Sequence, residues 1–195
     1  MSWGEVHLLT LTMEVKMFKP SFFLRFVSFT FFILLMGLAS QVCAQENTFT
    51  YKNFSLSLPE GWSTQEIPQG SEKEVIGSLK SDKIAGTTVL VLCYSSWLHS
   101  YSSVRIAGLK TIGAVYPKGQ EMLKKPTKMK TNGGYTAAVE FWKGALDAGG
   151  QIVYLRSPMG IMETKPGWIL MLGFTPDSSG DQLEEDFVKM IQSAK

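Results

Sequence analysis

Between Gln45 and Lys195 the sequence offers one histidine, His99, and one cysteine, Cys93. Acyl transfer by a serine needs an imidazole base and an acid to orient it, so His99 is the one candidate base. It sits in Tyr94–Tyr101, YSSWLHSY, where a neighbouring serine is unavoidable by composition, and no glycine-flanked G-x-S-x-G nucleophile turn occurs. A thiolate needs a nearby base or cation, which makes Cys93 with His99 a conceivable pair. Yet Cys93 lies in the most hydrophobic stretch, TTVLVLCY, where a thiol behaves as a small apolar group. We assign no catalytic residue, and the balance is against an enzyme.

Metal and phosphate chemistry fares no better. Structural zinc takes four Cys or His ligands, and one of each is available. Thioethers bind Cu(I), and Met159, Met162 and Met171 are close enough in sequence to consider, but Met more often fills irregular core space. The glycine pairs at 133–134 and 149–150 join strand to strand, whereas a phosphate cradle leads into a helix. The late entry into a helix, Thr175 to Asp181, brings Asp177, Asp181 and Glu184, whose charges repel phosphate. No metal and no cofactor is expected.

Two surfaces remain. Tyr94, Trp97, His99 and Tyr101 mix aromatics with serines as binding surfaces do; alternatively Trp97 and Leu98 close over a sheet end. Lys118, Lys124, Lys125, Lys128 and Lys130 form a basic run in which strand spacing puts Lys124, Lys128 and Lys130 on one face. That run could touch anionic lipid or an acidic partner, or be an edge strand protected by lysines and Pro126.

The elements that must position these residues follow from periodicity. FSLSL at Phe54–Leu58 alternates as a half-buried strand, Pro59-Glu60-Gly61 turns the chain into Trp62, and strands are expected to Ile67 and over Val75–Lys80. Thr87–Tyr94 lacks alternation and reads as a central strand covered on both faces. A helix follows over Val104–Tyr116, capped by Ser103, with Ile106, Leu109, Ile112 and Tyr116 at helical spacing and Pro117 ending it. Turns at Asn132-Gly133-Gly134, Asp147 to Gly150 and Lys165-Pro166-Gly167 separate four strands of a meander. These are Met122–Lys130, Tyr135–Lys143, Gln151–Thr164, with a bulge or bend at Pro158 and Gly160, and Trp168–Phe174. The last helix covers Asp181–Ala194, with Leu183, Phe187, Met190 and Ile191 on one face and Asp181 and Glu184 placed for a capping box. The fold class is α+β, an antiparallel sheet with helices.

From Met17 the chain has a basic start with Lys19 and Arg25, an apolar stretch, and Val42 and Ala44 as small residues before a cut. We expect residues 17–44 to be an export signal, Gln45 the mature N-terminus, and residues 1–16 to precede the true translation start at Met17. The apolar stretch is too short to span a bilayer, which takes about 20 apolar residues. Lipidation at Cys43 is not expected, because Ser40, Gln41 and Val42 lack the Leu, small, small run. Removing the leader leaves sixteen basic against fifteen acidic side chains, a net charge of about +1 that excludes electrostatic capture of nucleic acid. With Cys43 gone, Cys93 has no internal disulfide partner, so residues 45–195 must be held as a single domain by their core. The sequon at Asn53 matters only in a glycosylating host.

The FSLSLPEGW start, the hydrophobic strand, the meander and the closing GWILMLGFTPDSSGDQLEEDFVKMIQSAK together resemble the PsbP-like superfamily, including exported bacterial proteins of the DcrB type. The resemblance covers most of Phe49 to Lys195. It implies an α/β/α sandwich with an antiparallel sheet flanked by helices, a role in binding or assisting other proteins, and no catalytic residues to transfer. The ion-retaining residues of the photosystem subunit have no match here. The expectation is an exported, periplasmic or secreted accessory protein that binds an unknown protein or small ligand. Alternatives are a small periplasmic hydrolase or lipid-handling enzyme using His99, and a peripheral membrane protein docking through Lys124, Lys125, Lys128 and Lys130.

Overall fold

The structure, a computed structural model, describes residues 48–67, 71 and 73–195. The expected export signal, the start at Met17 and Cys43 lie outside the described residues. In chain order the strands are β1 (Thr48–Tyr51), β2 (Phe54–Ser57), β3 (Trp62–Gln65), β4 (Val75–Ser81), β5 (Thr88–Tyr94), β6 (Gln120–Lys130), β7 (Thr136–Ala148), β8 (Gln151–Thr164) and β9 (Gly167–Pro176). Helix α1 (Tyr101–Val115) lies between β5 and β6, and α2 (Gly180–Ser193) follows a short 3-10 turn at Asp177–Ser179. Seven strands make one sheet in the order β3-β4-β5-β9-β8-β7-β6, each pair antiparallel, and β1 with β2 forms a separate hairpin.

Alternation along the inner strands divides the apolar side chains between two cores, one on each face of the sheet. Ile169 and Met171 of β9 and Val89 and Val91 of β5 meet Leu183, Phe187, Met190 and Ile191 of α2, together with Phe49, Phe54 and Leu56 of the β1–β2 hairpin. Leu170, Leu172 and Leu92 point the other way, to Val104, Ile112 and Tyr116. Each side chain buried this way stabilises the fold by roughly 1.5–3 kcal/mol relative to exposure. The α+β sandwich expected from the sequence is therefore present, and β5 is covered on both faces.

Several local expectations are corrected. Helix α1 begins at Tyr101 and is capped by Ser100, not Ser103: the Ser100 hydroxyl accepts from the Ser103 N–H and the Ser103 hydroxyl accepts from the Ser100 N–H. Its buried stripe is Val104, Gly108 and Ile112, while Ile106 is 52% exposed. Gly108 sits on that stripe because a Cβ there would come within 2.5 Å of the Met159 sulfur.

No bulge occurs at Pro158 and Gly160. The register of β8 on β7 runs unbroken from Ala137↔Met162 to Ala148↔Gln151. Pro158, lacking an N–H, instead lies in a gap in the pairing with β9 between Arg156↔Thr175 and Met159↔Leu172, and Gly173 leaves room for its ring. Strand β7 runs on to Ala148, five residues past the expected end, paired throughout with β8.

Helix α2 has no side-chain cap, so Asp181 and Glu184 do not form the expected box. Both carboxylates turn to Arg156 of β8, at 2.6 and 3.2 Å from Nη1, while Arg156 Nε donates to Asp177 at 2.7 Å. Ion pairs with a guanidinium outcompete the local backbone N–H groups.

Candidate functional site

The end of the sheet where β5 meets α1 gathers the aromatic residues singled out above. The chain leaves Tyr94 in a tight turn in which the Leu98 and His99 N–H groups both donate to the Ser95 carbonyl, at 3.2 and 3.1 Å. The Ser100–Ser103 cap then fixes the entry into α1. His99 packs its ring 5.2 Å from that of Tyr94, and its Nδ1 lies 3.2 Å from the Ser95 carbonyl oxygen, where the nitrogen donates. From β9, Trp168 pairs with Tyr94 across the sheet, donates its indole N–H to the His99 carbonyl at 3.0 Å, and packs against Tyr101 at 6.2 Å.

Of the four predicted contact residues, Tyr94, His99 and Tyr101 are thus joined into one support. Trp97 is not part of it. Its side chain is 82% exposed and that of Leu98 is 61% exposed, so they do not close over the sheet end. Trp168 escaped the sequence reading because only the β5–β9 register brings it beside Tyr94. An aromatic opening the strand after Lys165-Pro166-Gly167 was the available signal.

Behind this loop α1 is tied to the sheet by a forked ion pair. Arg105 Nε and Nη2 donate to Glu140 Oε1 and Oε2 at 2.6 and 3.1 Å, and Trp142 Nε1 donates to Oε2 at 3.2 Å. Glu140 is 1% exposed, and this hydrogen-bonded carboxylate holds the Arg105 guanidinium above its ordinary pKa. Burial first, and then the Glu140 charge, push the Tyr101 phenol up, with Arg105 opposing. The phenol therefore stays protonated at neutral pH.

The catalytic combinations considered above are not assembled. His99 meets Ser95 through its main-chain carbonyl, and among the described residues no carboxylate or hydroxyl side chain bonds its ring. Cys93 belongs to the core on the α2 face, whereas Tyr94 and its His99 neighbour belong to the other face. Burial pushes the Cys93 thiol up despite the Lys52 charge, which keeps it protonated. Met159 packs toward α1, and Met162 and Met171 pack toward α2, so the three thioethers do not converge.

The basic run is also divided. Strand β6 shifts register between Met122 and Lys124 and again between Lys124 and Thr127, leaving Lys124 opposite Phe141, Lys128 opposite Ala138 and Lys130 opposite Thr136. Phe141 faces α2, while Ala138 and Thr136 lie on the alternate face. The expectation that Lys124 shares a face with Lys128 and Lys130 is therefore wrong: the bulge around Pro126 reverses the alternation. Lys124 instead donates to Glu184 at 2.5 Å and lies over the Phe141 ring.

No family model matches the sequence, and no curated protein does. Solved structures do. The chain is similar to cyanobacterial PsbP (CyanoP) from Synechocystis sp. PCC 6803, known from a solution structure, at 11% identity and a TM-score of 0.53, covering 81% of this chain and 98% of that one. It is also similar to the crystal structure of LpqN, described as involved in cell envelope biogenesis of Mycobacterium tuberculosis. Here the identity is 10% and the TM-score 0.50, covering 73% of this chain and 82% of that one. At such identities the likeness shows the fold, and this chain has a PsbP-like fold. Among the described residues no helix is long and apolar enough to cross a membrane.

Proposed function

We propose that this PsbP-like domain is an exported, non-enzymatic accessory module that grips a protein of the cell envelope through the Trp97 loop. The observation that carries the proposal is the exposure of Trp97, 82%, beside Leu98, on a turn pinned at both ends. A large ring held in water by a stiff support loses little freedom when it enters a partner's cleft, and tryptophans of this kind dominate binding energies. The fitting partner presents an apolar pocket with a hydrogen-bond acceptor for the indole N–H.

Two further observations support this reading. His99, the base that the hydrolase alternative needs, is engaged by a main-chain carbonyl. Export rests on the leader at residues 17–44, and an envelope role is named for one of the fold neighbours.

The test is photocrosslinking in intact cells, with a photoreactive phenylalanine at position 97 of the full chain and, as control, at the exposed Asp82. Defined protein adducts from position 97, absent from position 82 and lost on Leu98→Asp, are expected. Identical adducts from both positions, or none from position 97, would overturn the proposal.

A further inference from the structure

We infer that the β6 edge is a second contact surface, separate from the Trp97 loop, and that it lies against an anionic phospholipid bilayer through Lys118, Lys125, Lys128 and Lys130. The structure selects these four. Lys124, Lys143 and Lys189 all have carboxylate partners, whereas among the described residues Lys118, Lys125, Lys128 and Lys130 form no ion pair, and Lys130 donates only to the Thr136 hydroxyl. Every β6 residue except Met129 is exposed. Glu121 is the one acid within β6 itself, at the far end from Lys128 and Lys130, while Asp181, Glu184 and Glu185 of α2 line the groove beside Lys124 on the opposite face of the strand.

The shape of the edge favours a lipid surface over a protein partner. Pairing with another chain's strand is obstructed by two register shifts and by Pro126, which has no N–H to donate. The lysines project in different directions around the edge, since Lys128 and Lys130 lie on the face away from α2 and Lys125 falls within the bulge. A diffuse negative plane accommodates such a row without fixed counter-carboxylates. Met122 and Leu123, 38% and 36% exposed, sit among the lysines and suit the boundary between headgroups and acyl chains.

Strands β6 and β5 are four lanes apart in the sheet. At strand spacing that is about 19 Å, so a domain resting on its β6 edge holds the Trp97 loop off the bilayer, free for a protein. The two surfaces are compatible and fail independently.

The experiment is co-sedimentation of the full chain with vesicles of phosphatidylglycerol and phosphatidylethanolamine, and with neutral phosphatidylcholine vesicles, at low and high salt. Apolar insertion by any other segment contributes to both vesicle types, so the anionic preference is the readout. Replacing Lys125, Lys128 and Lys130 together by Gln should reduce that preference on the order of a hundredfold, while Lys124→Gln leaves it within about twofold. Circular dichroism of the triple variant should match the parent, because all three side chains are exposed. No salt-sensitive preference in the parent, an unchanged preference in the triple variant, or an equal loss from Lys124→Gln would overturn the inference. Photocrosslinks from position 97 decide the Trp97 proposal whichever way the vesicles behave.

Discussion

The indole N–H of Trp62 donates to Asp186 Oδ2 at 2.8 Å, joining the first residue of β3 to the middle of α2 across 124 positions of sequence. Trp62 is 1% exposed, so its indole N–H has little access to water, while the Asp186 side chain that accepts from it is 15% exposed. Gly61, at φ 83°, makes the turn that drops Trp62 into the core. Asp186→Ala leaves the buried N–H unpaired and should cost about 1–3 kcal/mol in urea unfolding. Asp186→Asn, which keeps an acceptor oxygen, should retain most of the stability.

Arg105 and Glu140 should behave as a unit. Arg105→Ala strands a carboxylate that is 1% exposed, and its cost should fall near the low end of roughly 3–5 kcal/mol, because the Arg105 side chain is itself 30% exposed. Glu140→Gln in that background should recover part of the loss, measured as a shift in the urea midpoint.

Gly180 opens α2 where alanine normally favours a helix by up to about 1 kcal/mol. Here a Cβ would overlap Arg156 Cδ, and Arg156 is pinned by Asp177, Asp181 and Glu184. Gly180→Ala should therefore destabilise the fold by about 1–3 kcal/mol. In an Arg156→Ala background the same substitution should become neutral or stabilising, which a double-mutant cycle reads directly.

Tyr116 gives a pH-dependent outcome. Burial pushes its phenol up to about 12 from 10.0, only partly offset by its hydrogen bond to Ser157. The folded state keeps the proton longer than the unfolded state, so this contribution is fully present below pH 10 and is lost as pH rises toward 12. Absorbance at the phenolate band should show a late-titrating phenol that Tyr116→Phe removes, and that variant should lose less stability between those pH values.

Much of the architecture was legible along the chain. Phe54, Leu56 and Leu58 alternate and are buried as the pattern requires, and the last helix carries Leu183, Phe187, Met190 and Ile191 into the core. The chain also showed that aromatics and serines are concentrated in the Tyr94–Tyr101 segment. It could not tell that Trp97 stands in solvent while Tyr94, His99 and Tyr101 gather around Trp168, because that depends on strand register. Position within the segment was visible, whereas its partner came from β9.

The residue order alone settled which side chains are available: one imidazole and one thiol after the expected leader, a near-neutral charge, and apolar periods that build a sheet covered on both sides. Tertiary structure decided which of those side chains are already taken. Lys124 and Lys128 look equivalent in sequence, yet one shift of β6 against β7 sends Lys124 to Glu184 and leaves Lys128 without an ion pair among the described residues. Alternation has a period of two, so a single unpaired residue reverses every side chain beyond it, and that reversal is set by the neighbouring strand rather than by the strand itself.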